Sequence, residues 1–310
     1  MWDLVTYAAR CGPSVQIVTF ESVQLAFTQG RSLMQKLRAV LEEKTGESWD
    51  LYHVLQNALS LGGPANRRRY FFVAVRGGRP FGVNVTPVLR VPNLRDVIED
   101  LESLPLTFEA QPINTTPTWY SAQFRRGDGL VDGHALHASP WAQRLTDTML
   151  DPEITWAENE TVSQVLRRQY VEHGHVAAAW RKQQDKLVAK DFAMGFNQLG
   201  RQCYDKHARV VTGAALLLKI HPVLPRLLTH REVARIQGFP DSWLIDPMPR
   251  TNGTAEGWGK GIPVHCGRWL GNQLEAALLG EPGEDHGVEI GDREWRIDHS
   301  KDFYAVSREH

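Results

Sequence analysis

Six consecutive residues, Tyr70-Phe71-Phe72-Val73-Ala74-Val75, are aromatic, β-branched or small and apolar, and this run limits the folds open to the chain. Such residues favour a pleated, packed surface, so 69–75 reads as a strand. A second strand is expected at 50–57. A third lies at 15–20, where Val15, Ile17, Val18 and Phe20 make the short apolar run of a buried strand. Between the last two, Gln29 to Lys44 repeats Leu33, Leu37, Val40 and Leu41 at helical spacing, and Gly46 ends the helix. Strands separated by an amphipathic helix define an α/β class.

The remaining layout is uneven. Residues 1–10 read as a helix stopping near Gly12-Pro13, and Leu94 to Leu101 as a short one. Residues 102–160 are rich in Pro, Thr, Gly and Asp and look loop-dominated, whereas Thr161 to Lys190 reads as mostly helical. Val264 to Leu279 is expected to be the last helix, closed by Gly280. Residues 281–310 carry nine acids against four bases and read as an irregular or partly ordered acidic tail.

Composition is that of a soluble globular chain of one or two domains: 310 residues, 42 % hydrophobic and 23 % charged. No apolar run is long enough for a membrane span, and no signal peptide opens the chain. Three widely spaced cysteines (Cys11, Cys203, Cys266) argue against a disulfide framework and for a reducing, cytoplasmic compartment. Cys203/His207 and His173/His175 have metal-like spacing, but nothing completes a four-ligand set. Net charge is −1, yet residues 160–210 hold nine Lys/Arg against five Asp/Glu. That segment could track phosphates, or it could be a solvated helix face.

Residues 228–240, Leu-Thr-His-Arg-Glu-Val-Ala-Arg-Ile-Gln-Gly-Phe-Pro, read locally as a capped surface helix. Thr229 and Glu232 make a capping box, Val233 and Ile236 an apolar stripe, and Gly238 and Pro240 a stop. The whole string resembles the "LTxRExARxQGFP" segment of the DNA cytosine-5 methyltransferases. Other blocks follow in that family's order. Phe20-Glu21-Ser22-Val23 is similar to its Glu-Asn-Val strand end, with Ser22 departing. Gly62-Gly63-Pro64-Ala65-Asn66-Arg67-Arg68-Arg69-Tyr70-Phe71 is similar to "GVPQxRxRxF", with Ala65 in place of Gln. Ala208 to Gly213 resembles "ARTITG". Gly259-Lys260-Gly261-Ile262-Pro263-Val264 resembles "GNAVPP", with Lys260 and Gly261 replacing Asn and Ala.

The resemblance implies a partial S-adenosylmethionine-dependent, Rossmann-like methyltransferase sheet with an inserted target-recognition domain. Residues 1–79 would be the C-terminal part of the catalytic domain and 80–206 the recognition domain. Residues 207–280 would return to the catalytic domain, and 281–310 would be the tail. Two family parts are missing: the "FxGxGG" cofactor loop and the Pro-Cys nucleophile, since no cysteine here follows a proline. The chain is thus expected to open inside the catalytic domain, with about a hundred residues absent, on the scale of a half-domain: either they lie on a separate polypeptide, or this is a truncated or degenerate copy. A half-sheet would leave a hydrophobic strand edge open, inviting a complementary N-terminal half or self-association.

By the same resemblance the substrate is double-stranded DNA with its target cytosine turned out of the helix. Glu21 would donate a proton at N3 and Arg69 would hold O2. Arg67 would support Glu21 and the backbone, while Lys260 and Gly261 would close over the methyl donor. Arg231, Glu232, Arg235 and Gln237 would be structural. Trp119, Tyr120, Trp141, Trp156 and Trp180 could stack on bases, though core packing is the commoner fate of a tryptophan. Three readings follow: one part of a split enzyme, a DNA-binding pseudo-enzyme without catalysis, or a scaffold that holds a partner. The variant blocks look more like phage-borne relatives than restriction-system ones.

Overall fold

A computed structural model describes residues 2–85, 88–136, 140–157, 160–193, 200–211, 219–245 and 253–300. The chain forms two compact units, residues 1–91 with 262–310, and residues 92–261.

The first unit is built on a five-stranded mixed sheet. Strands β1 (Ile17–Val23), β2 (Trp49–Asn57) and β3 (Arg68–Arg76) come from its N-terminal part. β3 lies between β1 and β2 and runs antiparallel to both. All nine residues of β2 are buried, which requires cover on both faces. Leu51, Leu55, Tyr70, Phe72 and Ala74 meet Leu37 and Leu41 of the helix Arg31–Thr45. Their neighbours Tyr52, Val54, Phe71, Val73 and Val75 meet Cys266 and Trp269 of the helix Val264–Leu279. The unbroken apolar run of β3 is thus shared between two cores, one per face.

The acidic segment after Gly280 is not an irregular tail where it is described. Val288–Gly291 and Glu294–Asp298 form an antiparallel hairpin, and its second strand pairs parallel with β2. The excess of acids hid this because Glu294 is a buried partner rather than a surface charge. It lies 2.8 Å from both Arg31 Nη2 and His53 Nε2, and Gln35 Nε2 donates to it at 2.9 Å. Trp295 stacks on Tyr52 at 4.9 Å, and Ile297 is buried. The hairpin therefore covers the β2 edge. On the other side, β1 ends the sheet and has no further strand among the described residues.

Among its described residues the second unit has little sheet, two short two-stranded pairs (111–112 with 130–131, 200–201 with 219–220). Its apolar core gathers Leu145, Leu166, Trp180, Ile220 and Leu227 around the helices Pro140–Leu150 and Val162–His173. The first of these helices falls within the stretch expected to be loop-dominated. Residues 207–261, expected to return to the first unit, pack with 92–206, and the chain re-enters the first unit only at Ile262. The helix His230–Ile236 fixes this arrangement. Its Thr229–Glu232 capping box is present, but the helix is entirely buried, not a surface one. Arg235 meets Asp100 and Asp241, Arg231 meets Asp132, and Arg226 meets Glu232, all within the second unit. No helix among the described residues is long and apolar enough to cross a membrane.

Candidate active site

Glu21 and Arg69 meet. Glu21 sits near the end of β1 and Arg69 at the start of β3, and the register places Glu21 opposite Phe71 and Val23 opposite Arg69. The two side chains are thus diagonal neighbours on one face, within reach for long residues. Arg69 Nε lies 2.7 Å from Glu21 Oε1, and Arg69 Nη1 donates to the Arg68 carbonyl at 2.9 Å. The carboxylate keeps 33 % of its side-chain surface exposed and the guanidinium 13 %. Access combined with a fixed orientation is what a group must have to touch a substrate.

Arg67 lies deeper, at 1 % exposure. Burial pushes its guanidinium down to about 10, helped by the charge of Arg69 and opposed by Glu21 and Cys266. Its carbonyl accepts from Ala58 N–H and its own N–H donates to Ala65, which locks the turn before β3. Gly63 in that turn is compelled: a Cβ there would come within 2.9 Å of the Ala58 carbonyl and 3.2 Å of His265 Nδ1.

Cys266 shares this electrostatic neighbourhood, which its place in the last helix did not reveal in the sequence. It is fully buried, and burial pushes its thiol up to about 12, with Arg69 and Arg67 only partly offsetting this. A thiol held protonated in a packed core cannot serve as a nucleophile at neutral pH.

Lys260 and Gly261 are not brought beside these residues within one unit. They belong to the second unit, at the end of the helix Gly253–Lys260, where Gly261 N–H donates to Gly257 O at 3.1 Å. Among the bets for base stacking, Trp180 is a core residue donating to Thr148 Oγ1 at 2.7 Å. Trp119 donates to Asp96 at 2.7 Å and stays 49 % exposed. The side chain of Trp141 lies outside the described residues.

A second polar group was invisible in the sequence. His53 contacts Tyr70 Oη at 2.7 Å through Nδ1 and Glu294 at 2.8 Å through Nε2. Burial alone would raise the Glu294 carboxyl, but hydrogen bonds from Arg31, Gln35 and His53 outweigh it and hold the group at about 2. This network clamps the hairpin to the sheet.

An accessible acid is thus paired with an arginine at the strand ends of the sheet. The C-5 cytosine-specific DNA methylase family matches residues 16–276, and the chain belongs to that family. The family's methyl donor is S-adenosylmethionine. Among curated relatives, the type II methyltransferase M.XorII of Xanthomonas oryzae is 26 % identical over 276 residues, covering 85 % of this chain and 59 % of that protein. The type II methyltransferase M.DdeI of Desulfomicrobium norvegicum is 26 % identical over 215 residues, 66 % of this chain and 48 % of that one. The chain spans about half the length of these bacterial relatives. A solved E. coli prophage protein, described as a DNA modification methyltransferase, superimposes with a TM-score of 0.56 at 16 % identity. It covers 86 % of this chain and 70 % of its own, and it supports the fold.

Proposed function

We propose that this chain is the C-terminal portion of a DNA cytosine-5 methyltransferase, cytoplasmic, and active on double-stranded DNA when joined by a polypeptide carrying the nucleophile and the cofactor loop. The observation that carries this reading is the accessible Glu21–Arg69 pair at the sheet's strand ends. The β1 edge supports the need for a partner, because β2 is covered by the chain's own hairpin while β1 has no outer neighbour among the described residues.

The chemistry explains why these two groups suffice on this side of the ring. C5 of cytosine becomes nucleophilic when a thiolate adds to C6, and negative charge then develops toward N3 and O2. Glu21 handles the proton at N3. Arg69 donates to O2, and its planar fork fixes the ring as well as supplying charge. Arg67, buried behind them, keeps the turn and the Glu21 carboxylate in place.

The methyl donor is a different matter. Among the described residues, no glycine-rich turn leads from a strand into a helix. The Gly62-Gly63 turn is closed by Ala58 and His265, and Gly77-Gly78 is the turn that ends β3. The residues present do not make a complete cradle for S-adenosylmethionine. Lys260 and Gly261 are this chain's candidates for contact with it.

The buried, protonated Cys266 favours a second reading for the chain acting alone: a DNA-binding pseudo-methyltransferase without catalysis. Transfer of labelled methyl from S-adenosylmethionine to duplex DNA, with and without an upstream half carrying the two missing motifs, separates the readings. Activity is expected only with both halves, and Glu21→Gln or Arg69→Ala should abolish it. Activity surviving both substitutions removes the site assignment. DNA binding with no activity in any combination leaves the pseudo-enzyme.

A further inference from the structure

The helix Arg31–Thr45 grips the C-terminal hairpin with one face. Arg31 Nε donates to Glu294 Oε1 at 3.0 Å, Gln35 Nε2 to Glu294 Oε2 at 2.9 Å and Arg38 Nη1 to the Asp292 carbonyl at 2.8 Å, three residues at helical spacing. The hairpin lies past residue 276, where the family's match to this chain ends, so the family's common machinery does not account for it.

Beyond its second strand the chain stays on the sheet. His299 N–H donates to the Leu55 carbonyl at 2.9 Å and Ser300 N–H to Asp298 Oδ1 at 2.9 Å. The carbonyls of these two residues are taken up by side chains at the end of β2 and just past it. Ser60 Oγ donates to His299 O at 2.9 Å, and Asn57 Nδ2 donates to Ser300 O at 3.1 Å. Asn57 Nδ2 also donates to Asn66 Oδ1 at 3.0 Å, and Asn57 Oδ1 accepts from Leu59 N–H at 3.3 Å. Asn57, Ser60 and Ser300 are all buried. One carboxamide, with both N–H groups and its oxygen spent, thus joins residues 299–300 to both ends of the turn 58–67.

That turn leads into the arginines. Asn57 stands opposite Arg68 in the β2–β3 register, so it supports the strand from the face opposite Arg69. Groups that act on a substrate have to be held to within about 0.5 Å, and a turn does this only when contacts from outside it fix its ends.

We propose that the C-terminal segment sets the position of Arg67 and Arg69 through Asn57 and Ser60, which makes Asn57 a positioning residue for the Glu21–Arg69 pair. The coupling stands on the first unit alone. Its consequence for methyl transfer rests on the reading of Glu21 and Arg69 given above.

The test is nitrogen-15 NMR of the full chain, read at the Arg69 Nε–H held on Glu21 Oε1 and identified by its loss in Arg69→Lys. Asn66→Ala removes the acceptor of one Asn57 N–H, Ser60→Ala removes the donor to His299, and Asn66→Asp keeps the acceptor. In both alanine variants the Arg69 signal should move to the position of solvent-exposed arginines and exchange faster with water, while Asn66→Asp leaves it in place. An unchanged Arg69 signal in both folded alanine variants overturns the coupling. So does loss of the whole fold in both, since the bonds then carry the fold and not the site. A purely structural role lowers the urea midpoint and leaves the Arg69 signal unmoved, which also overturns it. With the upstream half joined, Asn66→Ala should lower turnover at saturating DNA by about tenfold or more, with the half-saturating DNA concentration little changed, as misplacement of a reacting group does. Transfer that survives Glu21→Gln sinks the methyl-transfer reading and leaves the NMR result to decide the coupling. Transfer abolished by Glu21→Gln, with an Arg69 signal deaf to both alanine variants, sinks the coupling alone.

Discussion

Two arginine-carboxylate clusters in this chain look alike as sequence and differ as physics. Around the helix His230–Ile236, Arg235, Asp100 and Asp241 have no exposed side-chain surface at all. At the sheet, Glu21 keeps a third of its side chain in water. The first cluster has been dehydrated completely and is tolerable only because every charge is matched. The second is only partly dehydrated, so little stability rests on it and a substrate can reach it. Both derive from recognisable family strings, and burial rather than residue type separates them.

The comparison is broken most directly at Arg235. Arg235→Leu strips Asp100 and Asp241 of the buried cation they share, leaving Asp100 only Arg125 at 2.9 Å and Asp241 only Arg231 at 4.0 Å, and the loss of stability should be about 3–5 kcal/mol, the usual result of removing one partner of a buried pair. Urea unfolding measures it. A loss below about 1 kcal/mol would mean that the cluster is not dehydrated in solution and that the two arginine sites do not differ in kind.

Acid should sharpen the same contrast. Burial pushes His221 and His134 down to about 4, with Arg226 adding and Glu232 opposing. His221 is neutral by geometry as well, since its Nδ1 accepts from the backbone N–H groups of Val223 and Leu224 at 3.2 and 3.0 Å. The unfolded chain binds these protons near pH 6.5 while the folded one refuses them until about 4. Stability is therefore full above 6.5 and falls as pH drops toward 4, by up to about 1.4 kcal/mol per pH unit for each linked proton. Glu232, whose own burial penalty is outweighed by Arg226, is held at about 2 and adds a further loss between 4.5 and 2. A urea midpoint that stays flat from pH 7 to 4.5 contradicts the neutral histidines.

The hairpin clamp falls between the extremes. Glu294→Ala strips the acceptor from His53 Nε2 and Gln35 while leaving them in place. A cost of about 1–3 kcal/mol is expected, the ordinary penalty for a buried polar group left without its partner. Hydrogen exchange should show the amides of residues 294–298 opening before those of β3. Equal protection of the two would show that apolar packing of Trp295 and Ile297 holds the edge alone.

Much of this architecture can be read without coordinates, and the failures have a common cause. The strands at 49–57 and 68–76 and the last helix are written as local periodicity and end signals, so they lie close to where expected. The hairpin was hidden because the partner of Glu294 is Arg31, 263 positions away, and a count of charges cannot show that pairing. The helix Pro140–Leu150 was masked by the Pro- and Thr-rich composition around it. The strings in residues 207–261 follow the family order and so point to the first unit, while the ion pairs of Arg231 and Arg235 tie them to Asp132 and Asp100. At the site, the identities of Glu21 and Arg69 came from block resemblance, but their meeting depends on the β1–β3 register. The proximity of Cys266 depends on how the last helix lies across β3.

The smallest expected effect on stability is the most discriminating. Glu21→Gln keeps the shape of the side chain and removes its charge from a partly solvated pair. Such pairs contribute about 0–1 kcal/mol, so urea unfolding should barely move. Under the role proposed for Glu21, the same change should abolish methyl transfer by the chain joined to an upstream half. A large stability loss on Glu21→Gln would place the pair with the Arg235 cluster, as scaffold. Unchanged stability with lost transfer would mark an acid held in place by Arg69 and kept in water for a substrate. The two measurements together, on one conservative substitution, decide which kind of arginine site the sheet carries.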